Sequence, residues 1–340
     1  MSGEPLHHPV NHAWLKRNQE AVLFPEQAIL DAHHHLWDRP GQTYLCADFQ
    51  RDVADGHDVR GSVYVQCRTG YRATGPVEMQ PVGEVETVLK WCQGHPNHPL
   101  GLVAFADLQL GARVEPVVHA LMDAGQGKVC GVRNTTAYHD DPRVRSNPMP
   151  PARGLLSTPA YLEGARVLAR LNLSLDVWAY HTQLSEVVNL AAAVPELTLV
   201  VNHLGGPLGV GPYRRNDPDV FAVWQRDMTA LAQLPNVNLK WGGLGLKVLG
   251  HAYALEPQPP SSVQLAKDWS PYLDVCLSAF GTHRTLFESN FPVDKGQFSY
   301  RTLWNAFKRL VQSFQPHERD QMFWRNATRC YRLSAEAFTA

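Results

Sequence analysis

Apolar segments of strand length alternate along the chain with segments that carry apolar residues at helical spacing. The strand-like segments are 28–33, 61–66, 100–107, 129–134, 173–179, 197–203, 237–241 and 285–290. Helical spacing follows every strand except the first, after which 46–57 is only faintly helical. This repeated alternation is typical of the α/β class and predicts a (β/α)8 TIM barrel; the strand count favours it over a doubly wound open sheet.

We expect one domain over 1–340, with an N-terminal extension at 1–27, the barrel at 28–315 and a C-terminal helical segment at 316–340. The extension carries a candidate short helix at 14–21. Three loops after predicted strands, at 68–81, 139–157 and 256–262, exceed the usual βα length of about 2–6 residues. Because they follow the carboxyl ends of strands, we expect these long βα loops to cover the C-terminal face.

Composition narrows the function to small-molecule chemistry. The chain is 44% hydrophobic and 19% charged with a formal net charge of −1, which argues against disorder and against nucleic acid as a partner. No apolar run is long enough to span a membrane and no signal peptide is evident, so we expect a soluble, cytoplasmic protein. Homo-oligomerisation is left open. The six cysteines form no Cys-x-x-Cys pair, and we expect them to be reduced and to serve packing.

The run Ile29 to Asp38 contains three consecutive histidines at the end of the first predicted strand. Successive side chains of a strand point to opposite faces, so His33 and His35 share a face and His34 points away. Two imidazoles at a barrel mouth are half of a metal site or part of a proton-transfer cluster.

Further polar residues end the other predicted strands, where a barrel would bring them together. Histidines follow the fifth and sixth strands, at His181 and His203, and Arg133 ends the fourth. Histidines at three strand ends make an imidazole-rich pocket the leading hypothesis for the functional site.

The chain resembles the amidohydrolase-related proteins of the amidohydrolase superfamily. This branch includes 2-pyrone-4,6-dicarboxylate lactonase, sugar lactonases and the aminocarboxymuconate semialdehyde decarboxylase group. The motifs span residues 29 to 294 in the family's order, and the main ones are Asp31-Ala32-His33-His34-His35-Leu36-Trp37-Asp38, Val132-Arg133, Tyr180-His181, Asn202-His203-Leu204-Gly205-Gly206-Pro207 and Phe287-Glu288-Ser289-Asn290-Phe291-Pro292.

The resemblance implies a metal site. In metal-dependent members, the paired first-strand histidines, the fifth-strand histidine and an eighth-strand aspartate hold a divalent ion, often zinc. Carried over by motif, the ligands are His33, His35 and His181, and His203 orients or deprotonates the attacking water. Three imidazoles and a water suit a catalytic zinc.

The last strand departs from the family pattern, because Asn290 stands where the carboxylate is usual. An amide is a poor metal ligand and no general base. Either histidines alone hold the metal, or the site is metal-free, as the resemblance to the pyrone lactonase permits, or another carboxylate substitutes. Our preference for the substitute is Asp294, then Glu288; the alternative for Asp294 is an N-cap of the next helix. The candidate catalytic residues are therefore His203, His181, Asp294 and Asn290.

A guanidinium at a strand end can bind a substrate carboxylate or carbonyl, so Arg133 is the first candidate for substrate binding; a structural ion pair is its alternative. The full predicted set is Arg133, Gln66, Arg68, Tyr180 and Trp241, to which the loop arginines Arg72, Arg214 and Arg215 and the aromatic residues Trp178 and Phe291 could add.

These observations favour a hydrolase that opens a lactone or related cyclic ester of a small carboxylated compound by water attack. The alternative is a non-oxidative decarboxylase that uses the same site. A second alternative, prompted by Asn290, is a catalytically inactive binding protein.

Overall fold

The fold is an eight-stranded parallel barrel, seen in a computed structural model that describes residues 5–95 and 98–339. The eight barrel strands follow chain order around the sheet. Their bounds are Ala28–His34 (β1), Asp58–Val65 (β4), Gly101–Ala104 (β5), Val129–Thr135 (β6), Ser174–Trp178 (β7), Leu199–Val201 (β8), Val237–Trp241 (β9) and Thr285–Phe287 (β10). A small antiparallel hairpin, Trp37–Arg39 (β2) with Gln42–Tyr44 (β3), follows the first strand. The predicted barrel is confirmed.

Helices follow the barrel strands and form the outer layer. They are His12–Leu15 (α1), Cys46–Val53 (α2), Val82–Trp91 (α3), Glu115–Ala124 (α4), Pro159–Arg170 (α5), Leu184–Ala193 (α6), Pro218–Ala232 (α7), Ser262–Phe280 (α8), Tyr300–Leu310 (α9), Pro316–Asp320 (α10), Asn326–Tyr331 (α11) and Glu336–Thr339 (α12). The faintly helical first crossover forms α2, whereas the helix expected at 14–21 is a single turn, α1. No helix of the described residues is both long and apolar enough to cross a membrane.

The barrel closes between its first and last strands through a short set of polar contacts. His34 and Phe291 form a parallel bridge, and the Asn290 N–H donates to the His33 carbonyl at 2.9 Å. The buried Asp31 carboxylate reinforces this seam, because Oδ1 accepts from the Ser289 N–H at 2.8 Å and Oδ2 accepts from the Tyr300 hydroxyl at 3.0 Å.

The strands are buried on both faces, as expected where helices cover a parallel sheet. All seven residues of β1 and all five of β9 are buried. Outside the sheet, aromatic rings of β9, β10 and α9 pack edge to face or stacked, with Phe287 and Phe307 4.7 Å apart and Trp241 beside both. This aromatic layer packs against the outer face of β9 and β10, the same strands whose carboxyl ends carry polar groups.

One sequence expectation about cysteine is wrong. Cys46 at the start of α2 and Cys92 at the end of α3 form a disulfide, with their Cα atoms 5.3 Å apart. Spacing along the chain could not reveal this pair, because the fold brings together residues 46 positions apart. The other cysteines, Cys67, Cys130, Cys276 and Cys330, are free and packed in the structure.

The Asp31→Ala substitution should destabilise the barrel by about 2–4 kcal/mol, because it leaves a buried N–H and a buried hydroxyl without their acceptor. Denaturant unfolding followed by circular dichroism measures this loss. The matched control is Asp38→Ala. Asp38 is exposed, and among the described side chains only that of Thr43 donates a hydrogen bond to it. Equal losses in the two variants would contradict the role of Asp31.

Candidate active site

The carboxyl ends of the strands surround a cavity of about 570 Å³. The barrel contributes strand-end side chains to its wall, and the hairpin, two long loops and the N-terminal arm contribute the rest. Its principal lining residues are His35, Gln66, Arg133, Trp178, His203 and Asn290 from the strand ends, Trp37 and Arg39 from the hairpin, Arg68 and Ser146 to Met149 from the loops, and Pro5 to His7 from the arm. The loop at 256–262 is absent from this wall.

Three histidines meet at the base of this cavity. The Nε2 atoms of His33 and His35 lie 3.2 Å apart, and the His203 ring lies 4.8 Å from the His33 ring, centroid to centroid. His34 points to the other face, where its ring stacks on Phe49 at 3.9 Å. The alternation expected for the first strand is therefore present, and β1 and the turn after β8 build the cluster together.

Glu288 joins two of these histidines from the end of β10. Its Oε1 lies 2.6 Å from His203 Nδ1, and its Oε2 lies 2.8 Å from His33 Nδ1. The carboxylate and the His33 ring are fully buried, and the His203 ring is nearly so. A carboxylate facing Nδ1 favours the tautomer with the proton on that nitrogen, which leaves Nε2 as an acceptor.

The third histidine is oriented by the backbone. His35 Nδ1 lies 2.7 Å from the Val65 carbonyl, which can only accept, so Nδ1 carries the proton and Nε2 is an acceptor. Each of the three rings thus has an anchor for its Nδ1 atom. His35 and His203, whose Nε2 atoms are the acceptors, both line the cavity.

Two cations flank the histidine cluster, the buried Lys240 and the half-buried Arg133. Lys240 of β9 donates to Asp176 of β7 at 2.8 Å, and its Nζ lies 3.3 Å from His33 Nδ1. Arg133 Nη1 lies 3.2 Å from His33 Nε2, while its Nη2 donates to the Gln66 carbonyl. Asp176 also accepts from the Tyr331 hydroxyl. The positive charges of Lys240 and Arg133 are therefore balanced by two carboxylates, Glu288 and Asp176, and the rings between them are neutral.

Burial is the main cause of the low basicity of the rings. It lowers the pKa of His33 and His35 well below the ordinary value of imidazole, and nearby cations lower both further. Burial also lowers the pKa of His203, although the Glu288 carboxylate opposes that shift. The three imidazoles are therefore neutral near pH 7, as a proton acceptor or a metal ligand must be.

The backbone is strained at several lining residues. Arg68, His203 and Asn290 have positive φ values of 64°, 52° and 55°, which non-glycine residues rarely adopt. Gly243 lies against the His203 ring, because a Cβ at this position would come within 2.4 Å of that ring. Local strain thus coincides with the candidate site.

Among the described residues, His181 makes its contacts outside the cluster of three histidines. Its ring packs edge to face on Tyr213 with centroids 5.0 Å apart, and its Nδ1 accepts from the Leu208 N–H at 3.2 Å. The structure does not bring it to His33 and His35, so its predicted role as a ligand or catalytic residue lacks geometric support. His181 begins a new turn beyond β7 and is not among the residues that line the cavity.

The two carboxylates considered as substitutes differ in position. Asp294 accepts from the Gly245 N–H and from Asn290 Nδ2, both at 2.8 Å, and burial raises its pKa well above the ordinary value. It orients the Asn290 amide and is not in contact with the histidines. The order of preference given by the sequence is therefore reversed, because Glu288, two residues before Asn290, is the carboxylate that meets the rings.

The predicted substrate-binding residues divide into two groups. Arg133, Gln66 and Arg68 line the cavity. Tyr180 is buried behind Ser146, to which its hydroxyl bonds at 2.7 Å, and Trp241 is enclosed in the aromatic layer outside the barrel. Strand residues alternate in direction, so Trp241 of β9 points away from its neighbour Lys240 and into the outer layer, whereas Tyr180 lies beyond the end of β7.

The further arginines and aromatic residues also divide. Trp178 lines the cavity, with its ring 4.8 Å from that of His203. Arg72 pairs with Glu86 on the surface and Arg215 pairs with Asp268, so neither reaches the site. Arg214 and Phe291 are likewise outside the lining.

Sequence reasoning did not identify the contribution of the N-terminal arm to the cavity wall. It also missed the Lys240–Asp176 pair. Lys240 was visible as a charged residue inside an apolar strand, where an unpaired ammonium would be costly. The arm carried no comparable signal.

The donor set fits a divalent metal ion. Ligand atoms of His33, His203 and Glu288 lie within 4.8 Å of one another, and all three residues are buried. The Nε2 atoms of His33 and His35, at 3.2 Å, have the separation of two ligands on a tetrahedral zinc with bonds of about 2.0–2.1 Å. The positive charges of Lys240 and Arg133 oppose a cation, and the two carboxylates offset them.

Two of the curated relatives match most of the chain, and a third matches about half of it. An uncharacterised protein, y4mH, of Sinorhizobium fredii is 30% identical over 90% of this chain and 99% of its own length. An L-fucono-1,5-lactonase of Burkholderia multivorans is 29% identical over 48% of this chain and 52% of its own length. An L-rhamnono-gamma-lactonase of Scheffersomyces stipitis is 24% identical over 90% and 98%.

Solved structures share the fold. A zinc-bound amidohydrolase from Burkholderia multivorans superposes with a TM-score of 0.71 at 22% identity, covering 90% of this chain and 100% of that one. A probable 2-pyrone-4,6-dicarboxylic acid hydrolase from Acinetobacter baumannii gives 0.61 at 16% identity, covering 90% and 99%. A 2,6-dihydroxybenzoate decarboxylase gives 0.55 at 10% identity, covering 90% and 100%.

The resemblance identified from motifs is therefore confirmed at the level of the family. The amidohydrolase family model matches residues 30–333, nearly the whole barrel and part of the C-terminal helices. The chain belongs to the amidohydrolase family.

Proposed function

We propose that this protein is a hydrolase that opens the ring of a small lactone by water attack. The observation that carries the proposal is the pair of His203 and Glu288 at the base of the cavity, with Nδ1 and Oε1 2.6 Å apart. A buried carboxylate that holds the tautomer and orientation of an imidazole makes the other ring nitrogen a general base. The two curated relatives named as lactonases support the choice of bond.

The reaction can be written with this chain's own residues. His203 Nε2 accepts a proton from water as the water oxygen attacks the lactone carbonyl carbon, and Glu288 stabilises the imidazolium. The ring C–O bond then breaks, and His203 returns the proton to the departing alkoxide oxygen. The product is an open hydroxy acid, whose carboxyl group ionises in solution.

Arg133 is suited to bind the carbonyl oxygen. Its guanidinium reaches the cluster at His33 and is oriented by the Gln66 carbonyl. Negative charge develops on the carbonyl oxygen during attack, and a preorganised cation in a buried site stabilises that charge. Asn290 lines the same cavity, and its amide is held by Asp294.

We also propose that the site binds a divalent metal, zinc being the first candidate, through the Nε2 atoms of His33 and His35, while His203 stays free to act as the base and Glu288 orients the rings of His33 and His203. When bound, such an ion would polarise the carbonyl and lower the pKa of a coordinated water. The ring orientations described above support this ligand set. His181, which the resemblance includes, is left out of it because its ring contacts Tyr213 instead.

A panel of sugar lactones and pyrone lactones, assayed by proton release with product analysis, tests the reaction. We expect one hydroxy acid per lactone consumed and no carbon dioxide. Release of carbon dioxide from a carboxylated aromatic substrate, with no lactone opened, would instead identify a decarboxylase. Binding of these compounds without turnover would leave an inactive binding protein.

The Glu288→Gln variant should lower kcat by about 10²- to 10⁴-fold, because the amide no longer holds the base tautomer of His203 or stabilises its protonated form. The measurement is steady-state hydrolysis of the best lactone in the panel. The matched control is Glu86→Gln, which should retain normal activity. Glu86 lies on α3, where it is exposed and pairs with Arg72. A kcat within three-fold of wild type for Glu288→Gln would exclude the proposed base.

Metal content separates the two possible ligand sets. Elemental analysis of purified protein should find about one zinc per chain in wild type and in His181→Ala, and a large loss in His35→Ala. A thermal melt of each variant checks folding. Loss of metal in His181→Ala with retention in His35→Ala would restore the ligand set implied by the resemblance. Metal-free wild type with full turnover would show that the histidines act without an ion.

A further inference from the structure

The N-terminal arm crosses the mouth of the barrel and forms part of the cavity wall. Pro5, Leu6 and His7 line the same cavity as His35 and His203. The arm is attached on both sides of His7, because Lys247 Nζ donates to the Pro5 carbonyl at 2.8 Å and the backbone of His8 lies against Gly296. A Cβ at Gly296 would come within 2.3 Å of the His8 carbonyl oxygen, so this approach requires glycine.

His7 has a buried ring nitrogen without a protein partner. Its Nδ1 is shielded from solvent and makes no hydrogen bond to any described residue. A buried, unpaired ring nitrogen costs free energy unless some other group pairs with it. His7 is one of the residues that line the cavity, so its ring borders the space that a bound ligand would occupy. Burial, followed by the charge of Arg39, lowers the pKa of His7 to about 4, so the ring is neutral and carries one N–H donor.

The ring of His7 belongs to a stack that leads to the histidine cluster. Its centroid lies 6.4 Å from that of Trp37, and Trp37 lies 6.2 Å from His35, with interplanar angles of 15° and 25°. Arg39 lies over Trp37, with its guanidinium carbon 4.5 Å from the ring centroid. The arm and the hairpin therefore form one continuous wall beside the proposed reaction centre.

This wall is positively charged. Arg39 donates to the Cys67 carbonyl at 2.6 Å and lies over Trp37, and no ion pair joins it to a carboxylate of the described residues. Arg68 and Arg133 also line the cavity, and no described Asp or Glu does. One guanidinium at the reacting carbonyl would serve a simple lactone. Two more, set around the same space, favour an anionic substituent on the substrate.

We propose that His7 and Arg39 are specificity-determining residues that bind a carboxylate carried by the lactone in addition to the ester that is cleaved. The proposal rests on the proposed lactonase function for its substrate and deepens it: the N-terminal arm is part of the binding site. Arg39 supplies the charge, His7 supplies a neutral N–H donor, and Trp37 holds both against the wall.

Two pairs of probes test this assignment. The first pair is γ-butyrolactone and its ring-carboxylated derivative, the lactone of 2-hydroxyglutarate, for hydrolysis. The second is 4-hydroxybutyrate and 2-hydroxyglutarate, their ring-opened products, for binding by calorimetry. We expect wild type to bind the dianion at least about ten-fold more tightly than the monoanion, as expected for a charged hydrogen bond worth about 1.5 kcal/mol.

The variants His7→Phe and Arg39→Gln should each reduce that preference to below about three-fold. His7→Phe retains a ring to stack on Trp37 and removes only the nitrogens. In hydrolysis, KM for the carboxylated lactone should rise at least about three-fold more than KM for the plain lactone, because only the carboxylated lactone carries the group that these residues bind. His119→Phe, at an exposed position of α4, is the matched control and should behave as wild type.

The outcomes separate this inference from the function on which it rests. Tight, His7-dependent binding of the dianion without hydrolysis of any lactone would defeat the lactonase proposal and leave the role of the arm intact. Lactone hydrolysis with no change in either variant, or equal binding of the two anions by wild type, would overturn the role of His7 and Arg39. A thermal melt of each variant ensures that loss of binding is not loss of fold.

Discussion

The Glu288 carboxylate, placed between two imidazoles, is the contact on which the site depends. It joins the end of β10 to His33 of β1 and to His203 after β8, so one side chain orients groups from three parts of the barrel. With no water available to it, a buried carboxylate must be paired, and ring N–H groups are partners that also gain orientation from the bond. Replacing either ring would therefore disturb the other through Glu288.

A balance of buried charge supports that contact. Lys240 and Asp176 form a fully buried ion pair beside His33, and Arg133 approaches the same ring from the cavity side. Buried pairs add little net stability, but removing one partner leaves an uncompensated charge. The pair thus holds the polar interior of the barrel to a single arrangement. Cations at this position also disfavour a protonated His33, which suits a proton acceptor or a ligand.

The candidate active site combines strand ends with segments outside the sheet. The strand ends are held by the sheet and by the aromatic layer outside it, whereas the arm is held by contacts such as the hydrogen bond from Lys247 to the Pro5 carbonyl. Barrel enzymes commonly place the reacting groups on the strand ends and vary the loops for specificity. Here the N-terminal arm takes the role that a βα loop has elsewhere, beside the loop at 139–157 that supplies Ser146 to Met149.

Hydrophobic periodicity was enough to predict the eight strands, the helices between them and the shared face of His33 and His35, because these features depend on local direction along the chain. Periodicity also identified Arg133 and His203 as strand-end residues that reach the cavity. It could not distinguish Glu288 from Asp294, show that His181 contacts residues outside the cluster, or reveal the disulfide and the contribution of the arm to the cavity wall. Those outcomes depend on which side chains meet after the barrel closes, and that is decided by distances between residues far apart in sequence. Residues 203 and 288, or 7 and 37, become neighbours only through the tertiary fold.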